Sequence, residues 1–165
     1  MAGALSVAPV DLNDPLQAAA WLALLDHYAR DPMGGGSGLS AYACDHLLGE
    51  LRELPIFHGA LAWLDGRAVG LINCFAGFST FAARPLLNLH DIVAHAEVRG
   101  SGVGQALLAW AEGRARQLGC CKLTLEVLAN NRPALLAYER AGFAPYVLDP
   151  AVGQALFLQK RLEEA

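Results

Sequence analysis

The segment that most constrains the fold is a predicted strand, a glycine-rich turn and a helix that follow one another closely. The strand is LLNLHDIVAH, at residues 86–95, and the turn RGSGVG carries three glycines in five residues. A helix is predicted over Val103–Leu118, because apolar residues recur there at helical spacing and Gly119 supplies a stop. A further strand is predicted at Cys121–Leu128. Such a strand–helix–strand unit predicts a mixed sheet with helices packed on it.

Patterns on either side of this unit predict the remaining elements. The N-terminal half is predicted to contain a strand at Ala4–Val10, helices at Asp14–Arg30 and Ala41–Glu53, and a hairpin from Phe57 to Phe78 that turns at Asp65-Gly66. The C-terminal part is predicted to contain a helix at Asn131–Ala141 and final strands at Phe143–Leu148 and Gln154–Arg161. No repeat or linker interrupts the chain, so residues 1–165 are expected to form a single α/β domain.

Composition excludes several classes of protein. The net charge of −4 and the pI of about 5.7 disfavour a nucleic-acid binder. The apolar runs are too short to span a membrane, and the N-terminus lacks the features of a secretory signal. No C-x-x-C pair or H-E-x-x-H motif occurs, so we expect reduced cysteines, no metal site and a cytoplasmic location.

The glycine turn admits more than one interpretation. A P-loop is excluded because neither Lys nor Ser/Thr follows Gly104, and the glycine spacing is wrong for a dinucleotide-binding fold. What remains is a helix start whose free N–H groups and dipole favour an anion, with Arg99 beside it. A diphosphate fits such a site, whereas a bare tight turn would explain the turn without any ligand.

Two motifs in sequence together resemble the GNAT superfamily of acyl-CoA-dependent N-acyltransferases. Arg99–Gly104 fits R-x-x-G-x-G after the strand LHDIVAHAEV, and residues 131–143 fit N-x-x-A-x-x-x-Y-x-x-x-G-F. The detailed resemblance covers about residues 87 to 145, and the order of elements extends it to the whole chain. It implies a twisted, mostly antiparallel mixed sheet of about seven strands with four helices, splayed between the fourth and fifth strands.

The resemblance implies acetyl-CoA as the acyl donor and assigns it a set of contacts. The diphosphate would bind the backbone of the turn and helix start, at Gly100, Ser101, Gly102, Val103, Gly104 and Gln105, with Arg99 beside it. The pantetheine arm would pair with the preceding strand at Ile92, Val93 and Ala94, where one N–H would polarise the thioester carbonyl. The start of the next helix, at Asn131, Arg132 and Pro133, and Tyr138 within it would complete the cofactor contacts.

The same resemblance suggests catalytic residues. Tyr138 would protonate the departing thiolate, although a core tyrosine on an amphipathic helix would look the same in sequence. His90 is the first candidate for the base that deprotonates the amine, and Asp91 is the second; a structural histidine remains the alternative. Strand alternation predicts that His90, Ile92 and Ala94 lie on one face of the sheet and that Asp91, Val93 and His95 lie on the other.

The acceptor site is expected beside the first two helices. Its predicted parts are the loop at residues 31–40, with Asp26, Tyr28 and Asp31 nearby, and the segment at residues 77–85. These carboxylates could hold a cationic amine, and a solvated helix face would explain them equally well. Of the three nearby aromatic residues, two are expected to belong to the core: the set is Phe75, Phe78 and Phe81.

The function predicted from the sequence is acetyl transfer from acetyl-CoA to a primary amine of a small molecule, by direct attack in a ternary complex. The alternatives are a protein Lys or N-terminal acetyltransferase and a CoA-binding regulatory protein without catalysis. A homodimer is also expected, because it is common in the family and the apolar final strands permit it.

Overall fold

A five-stranded sheet with the strand order β1-β2-β3-β4-β5 is the centre of the computed structural model, which describes residues 3–162. The strands are β1 (Leu5–Pro9), β2 (Phe57–Leu64), β3 (Arg67–Ser79), β4 (Arg84–Ala94) and β5 (Leu123–Leu125). Neighbours from β1 to β4 are antiparallel, and β5 runs parallel to β4. The mixed and mostly antiparallel sheet predicted from the sequence is therefore confirmed.

The described residues form four helices, and three of these helices begin at a capping side chain. They are α1 (Pro15–Arg30), α2 (Ala41–Arg52), α3 (Val103–Gln117) and α4 (Arg132–Arg140). The Asp14 carboxylate accepts from the N–H of Leu16 at 2.9 Å, and Pro15 follows in the first helical position, where no N–H is needed. The Ser40 hydroxyl caps α2 by accepting from the N–H of Ala43. These local signals explain why the sequence predicts the helices to within a few residues.

Apolar side chains form one core on each face of the sheet. The α1-side core lies under α1 and α2 and includes Trp21, Leu24, Leu61, Leu71 and Val93. The α3-side core lies under α3 and includes Ile72, Leu87, Leu89, Val103 and Leu107. Tyr138 of α4 packs against the edge of the α3-side core. The two cores hold β3 and β4 between helices and fix the strands that carry the predicted site.

The two final strands predicted from the sequence do not form, so the described sheet has five strands and not about seven. Residues 143–148 and 154–161 have no strand ladder, and the one backbone hydrogen bond between them is long, 3.5 Å from the Ala155 N–H to the Tyr146 carbonyl. β5 itself has only three residues, which gives a neighbouring strand a short edge to pair with. A short apolar run is compatible with a strand, but a ladder also needs a paired edge of sufficient length.

Candidate active site

β4 and β5 pair over three residues and then part. Their last pair is Leu89 and Leu125; β5 ends there, while β4 continues for five residues to Ala94. The edge of β4 beyond Leu89 is therefore not paired with β5, and a gap opens along it. The gap leads to the glycine turn, because the turn follows the end of β4 after one short 3₁₀ turn at Ala96–Val98.

Two residues of β4 direct their backbone groups into this gap. The His95 N–H donates to the Val69 carbonyl of β3 at 2.8 Å. Hydrogen-bonded pairs alternate in antiparallel strands, so Val93 and Asp91 also pair with β3, and Ile92 and Ala94 face the opposite edge. Of the three residues predicted to hold pantetheine, Ile92 and Ala94 can therefore offer N–H and C=O groups there. The backbone of Val93 is turned towards β3.

His90 lies in a β-bulge, which corrects the predicted distribution of side chains. Asn73 of β3 pairs with Asp91 and Cys74 pairs with Leu89, so His90 has no partner in the register. A bulge resets the alternation of side chains by one residue. Ile92 and Ala94 share a face as predicted and pack on the α3-side core, but the His90 ring lies 5.5 Å from Phe75 between centroids, and Phe75 packs on the α1-side core. The prediction that His90 shares a face with Ile92 is therefore wrong.

His90 and Asp91 consequently lie side by side at the start of the gap. Nδ1 of His90 is 3.5 Å from Oδ2 of Asp91, and the imidazole is more exposed than the carboxylate. Hydrogen bonding to Asp91 raises the pKa of His90 above its usual range, and partial burial opposes this effect. The negative charge of Glu126, one residue beyond the end of β5, acts on the pKa of His90 in the same direction as Asp91. Glu126 was not among the residues predicted for the site.

A buried chain of hydrogen bonds orients Asp91. Trp21 Nε1 donates to Asn73 Oδ1 at 2.8 Å, and Asn73 Nδ2 donates to Asp91 Oδ2 at 3.0 Å. Asn73 is 2 % exposed and Trp21 is fully buried, so these partners have little freedom to move. Sequence reasoning missed Asn73 as a support for the site. The available signal was an asparagine within the apolar run GLINCF, since a buried amide needs hydrogen-bond partners.

The glycine turn forms an open backbone cradle at the start of α3. Gly100 and Gly102 have φ values of +82° and +91°, a region that side chains with a Cβ rarely adopt. Gly102 is the N-cap of α3 and provides no side-chain hydrogen bond, which leaves the N–H groups of the first turn available. A Cβ added at Gly100, Gly102 or Gly104 would meet no heavy atom within 4 Å. The cradle has the space and the donors that a phosphate group requires.

The side chains of the turn have structural partners of their own. The Ser101 hydroxyl donates to the Val98 carbonyl at 2.6 Å. Val103 is buried in the α3-side core, and Gln105 Nε2 donates to the Ala137 carbonyl of α4 at 2.9 Å. Any contact that these three residues make with a bound phosphate therefore involves their backbone N–H groups. Gln105 also ties the start of α3 to α4, which carries Tyr138.

Asn131, Arg132 and Pro133 form the N-terminus of α4. The side chain of Asn131 accepts from the N–H of Ala134 at 3.3 Å and so caps the helix. Arg132 and Pro133 follow in the first turn and are exposed. The Arg132 side chain forms no ion pair with another residue of the range 3–162, so it contributes a positive charge to the surface at this point.

Tyr138 of α4 is partly buried, and the charge of Tyr28 of α1 acts on its pKa. Tyr138 projects from α4 and packs edge-on against Phe143, with ring centroids 6.0 Å apart. Burial raises the pKa of Tyr138 to about 12, and the nearby Tyr28 adds to the shift. Burial also raises the pKa of Tyr28, together with the charges of Asp91 and Asp31. Both phenols are therefore protonated at neutral pH. Tyr28 lies within electrostatic range of two predicted catalytic residues, Tyr138 and Asp91.

Arg99 joins the glycine turn to the predicted acceptor loop. Its NH2 group is 2.7 Å from Oδ2 of Asp31, which follows the end of α1. The other oxygen of Asp31 accepts from the N–H of Met33, and these bonds lower the pKa of the carboxyl. The carboxylate of Asp26, in α1, also has partners of its own. It accepts from the N–H of Leu39 in the same loop and from Arg30 of α1.

The aromatic residues of the predicted acceptor site are less buried than expected. Phe75 packs against the α1-side core, but Phe78 is 62 % exposed and Phe81 is 98 % exposed. The prediction that two of the three belong to the core is therefore wrong. β3 and β4 extend to Ser79 and from Arg84, so Phe81 lies at the tip of their connection, beyond the reach of either core.

Comparison with known proteins decides the family. Residues 21–143 match the model of the acetyltransferase (GNAT) family, and this range includes the gap, the cradle and Tyr138. The chain belongs to the GNAT family. This match confirms the resemblance drawn from the two sequence motifs.

Individual relatives of this GNAT protein match over shorter ranges. Streptothricin acetyltransferase of Streptomyces lavendulae is 40 % identical over 90 residues, which are 53 % of this chain and 48 % of the relative. Aminoalkylphosphonate N-acetyltransferase of Salmonella typhimurium is 34 % identical over 89 residues, 54 % of this chain and 58 % of the relative. The chain thus spans about half the length of the curated relatives it matches.

Solved structures share the GNAT fold over nearly the whole chain. An aminoglycoside acetyltransferase, AAC(6')-Iy, in complex with a bisubstrate analogue of CoA superposes with a TM-score of 0.75, at 16 % identity, over 96 % of this chain and 99 % of the other. A probable acetyltransferase superposes with a TM-score of 0.78 at 22 % identity, over 96 % and 99 % of the two chains. These likenesses establish the fold.

The four cysteines of this GNAT chain form no disulfide. Cys44, Cys74, Cys120 and Cys121 are free thiols. Burial raises the pKa of Cys74 to about 12, so that thiol is not poised as a nucleophile.

Within residues 3–162, no group of three or more His, Cys, Asp or Glu side chains is arranged to hold a metal ion. None of the helices in that range is long and apolar enough to cross a membrane.

Proposed function

We propose that this chain transfers an acetyl group from acetyl-CoA to a primary amine of a small molecule, by direct attack in a ternary complex. The observation that carries the proposal is the gap between β4 and β5, with the glycine cradle at one end and the His90–Asp91 pair at the other. A thioester arm lying in this gap would reach from the cradle to the pair. Family membership supports the same assignment.

The donor would be held mainly by backbone groups. The diphosphate of acetyl-CoA would accept from N–H groups of residues 102–105, assisted by the dipole of α3 and by Arg99. The pantetheine amides would pair with Ile92 and Ala94 along the open edge of β4. One of these two N–H groups would stabilise the negative charge that develops on the thioester oxygen. The aminoglycoside acetyltransferase solved with a CoA bisubstrate analogue supports this choice of donor.

Acetyl transfer requires the movement of one proton from the amine and one to the leaving sulfur. Only about one molecule in 10³ of a lysine-like amine is neutral at pH 7, so a base assists the attack. We assign that role to the imidazole of His90, with Asp91 orienting it and stabilising the imidazolium. The amine nitrogen would bond to the carbonyl carbon, the C–S bond would break, and Tyr138 would give its phenolic proton to the thiolate.

A small cationic acceptor fits the charges around His90. The charges of Asp91 and Glu126 both act on its imidazole, so the surroundings favour an ammonium group over an anion, whereas the charge of Asp31 is already compensated by Arg99. Two relatives are named for acetylating small molecules, streptothricin and an aminoalkylphosphonate, which supports the same class of acceptor. The alternative acceptor is a Lys side chain or the N-terminus of a protein. The alternative to an enzyme is a CoA-binding protein without catalysis.

A screen of acceptors tests these assignments. The chain is mixed with acetyl-CoA and single amines, amino acids or peptides, and free thiol is measured over time. We expect release with one or more small amines and little release with peptides. Release with peptides alone would favour a protein acetyltransferase. Thermal stabilisation by acetyl-CoA without release for any acceptor would favour a binding protein, and absence of stabilisation would contradict the proposed donor.

We also propose that the chain acts as a cytoplasmic homodimer of single domains. Support for association comes from the C-terminal segment, where several large apolar side chains are exposed: Leu148, Val152, Leu156, Phe157 and Leu158. Sedimentation analysis of the full chain and of Leu156→Ser/Leu158→Ser tests the proposal. A monomer at micromolar concentration in the unmodified chain would contradict it.

A further inference from the structure

We propose that a cleft between the C-terminal half of α3 and the start of β2 binds a small organic carboxylate with an apolar body. The cleft has a volume of about 510 Å³, within the range of small-molecule pockets. None of the residues that line it is among those proposed for acetyl transfer. Arg114 lies 11 residues after Val103, about 16 Å further along α3 from the glycine cradle.

The cleft is lined by both apolar and basic residues. Val10, Phe57 and Trp110 supply apolar surface, and Trp110 and Phe57 are only half-buried. Arg114, His58 and Gln117 supply the polar groups. None of the lining residues is acidic, although the chain as a whole carries a net charge of −4. A local positive charge beside aromatic surface is the complement of an aromatic or aliphatic carboxylate.

Arg114 is a partly buried cation without an anionic partner among residues 3–162. The salt bridges in that part of the chain involve other residues. Its guanidinium instead lies 3.2 Å from Oε1 of Gln117 and 3.3 Å from Nδ1 of His58, both of them neutral partners. Arginine cannot act as an acceptor, so Nδ1 of His58 accepts and the ring proton resides on Nε2. A carboxylate entering the cleft would meet the charge and the remaining donors of the guanidinium.

The imidazole of His58 is a neutral hydrogen-bond acceptor for Arg114. Burial lowers the pKa of His58, and the positive charge of Arg114 lowers it further, so the imidazole is uncharged at neutral pH. The cleft therefore contains one fixed positive charge at neutral pH. One bound carboxylate would compensate that charge.

Gly113 leaves the cleft open on the helix side. A Cβ added there would meet no heavy atom within 4 Å, and the residue has an ordinary helical backbone. A larger residue at this position can therefore be accommodated by α3 while it fills the cleft. This feature supplies a blocking variant that keeps Arg114 in place.

The experiment measures binding of phenylacetate to the full chain by calorimetry, with phenylacetamide as the uncharged counterpart. We expect phenylacetate to bind and phenylacetamide to bind at least tenfold more weakly, since only the carboxylate forms charge-assisted hydrogen bonds with the guanidinium. Arg114→Gln and Gly113→Met should each weaken phenylacetate binding at least tenfold, and Arg114→Lys should retain part of it. Urea unfolding midpoints establish that the variants are folded.

Three results would overturn the proposal. They are no phenylacetate binding to the unmodified chain at millimolar concentration, equal binding to Arg114→Gln, and displacement of phenylacetate by acetyl-CoA, which would locate the ligand in the β4–β5 gap. The proposed acetyl transfer is measured separately by thiol release, so failure of one proposal leaves the other unaffected.

Discussion

The Arg99 guanidinium of the glycine turn lies 2.7 Å from the Asp31 carboxylate at the end of α1. One ion pair thus connects the proposed diphosphate site with the loop that begins the proposed acceptor site. The Asp31 carboxylate also reduces the positive charge that Arg99 offers to a phosphate. Both side chains are partly exposed, so water and salt weaken the pair.

Asp31→Asn should therefore strengthen acetyl-CoA binding. Asn keeps an oxygen that can accept from the N–H of Met33, so the loop cap is preserved while the competing charge is lost. We expect the dissociation constant to fall by about two- to fivefold, in line with the worth of an exposed ion pair. Calorimetry at low salt measures the change. Asp26→Asn is the matched control, and weaker binding of acetyl-CoA by Asp31→Asn would contradict the competition.

Gly104→Val should prevent acetyl-CoA binding without unfolding the chain. Gly104 lies in the first turn of α3, where an added side chain would have open space around it, and its φ is not among the positive values. The added isopropyl group would therefore occupy the space proposed for the diphosphate. Thermal stabilisation by acetyl-CoA should be lost. Gly49→Val, on an exposed part of α2 with equal space, controls for the cost of a β-branched residue in a helix.

The glycine cradle and the helices were predictable because their signals are local. Gly100 and Gly102 take positive φ values, and Asp14 caps α1, within a few residues of the pattern that predicted them. The bulge at His90 was not predictable, because it depends on the register between β4 and β3, and no residue pattern around His90 indicates that register. The final strands failed for a related reason. The apolar run ALFL within residues 154–161 is compatible with a strand, but pairing requires an edge that the three-residue β5 supplies only briefly.

The pH dependence of activity should reveal the His90–Asp91 pair. A general base must be neutral, and Asp91 raises the pKa of His90, so activity should be lost as pH falls through a value above that of an ordinary imidazole. Asp91→Asn removes the stabilising charge and should move this acidic limb to lower pH. Rate–pH profiles of kcat/KM measure the shift. His90→Gln should abolish the limb, and an unchanged limb in that variant would mean that another group is the base.

Trp21→Phe should lower stability and disturb the site through Asn73. The substitution keeps an aromatic ring but removes the N–H that donates to Asn73 Oδ1, leaving a buried amide oxygen without that partner. Such a loss costs about 1–3 kcal/mol in the free energy of unfolding. Urea unfolding measures it. Trp63→Phe is the control, because Trp63 is only partly buried; an equal loss in the two variants would contradict a specific role for the Trp21–Asn73 bond.

Tyr138→Phe should lower kcat while acetyl-CoA binding stays close to that of the unmodified chain. The ring that packs against Phe143 is retained, and only the hydroxyl is removed. Because burial raises the pKa of Tyr138 to about 12, the hydroxyl stays protonated throughout the range in which the amine is attacked and can supply a proton to the leaving sulfur. Loss of a positioned acid typically costs about 10²- to 10⁴-fold in rate. Thiol release gives kcat and calorimetry gives the dissociation constant. Tyr146→Phe, at an exposed tyrosine, is the matched control, and unchanged turnover in Tyr138→Phe would assign this residue to the core alone.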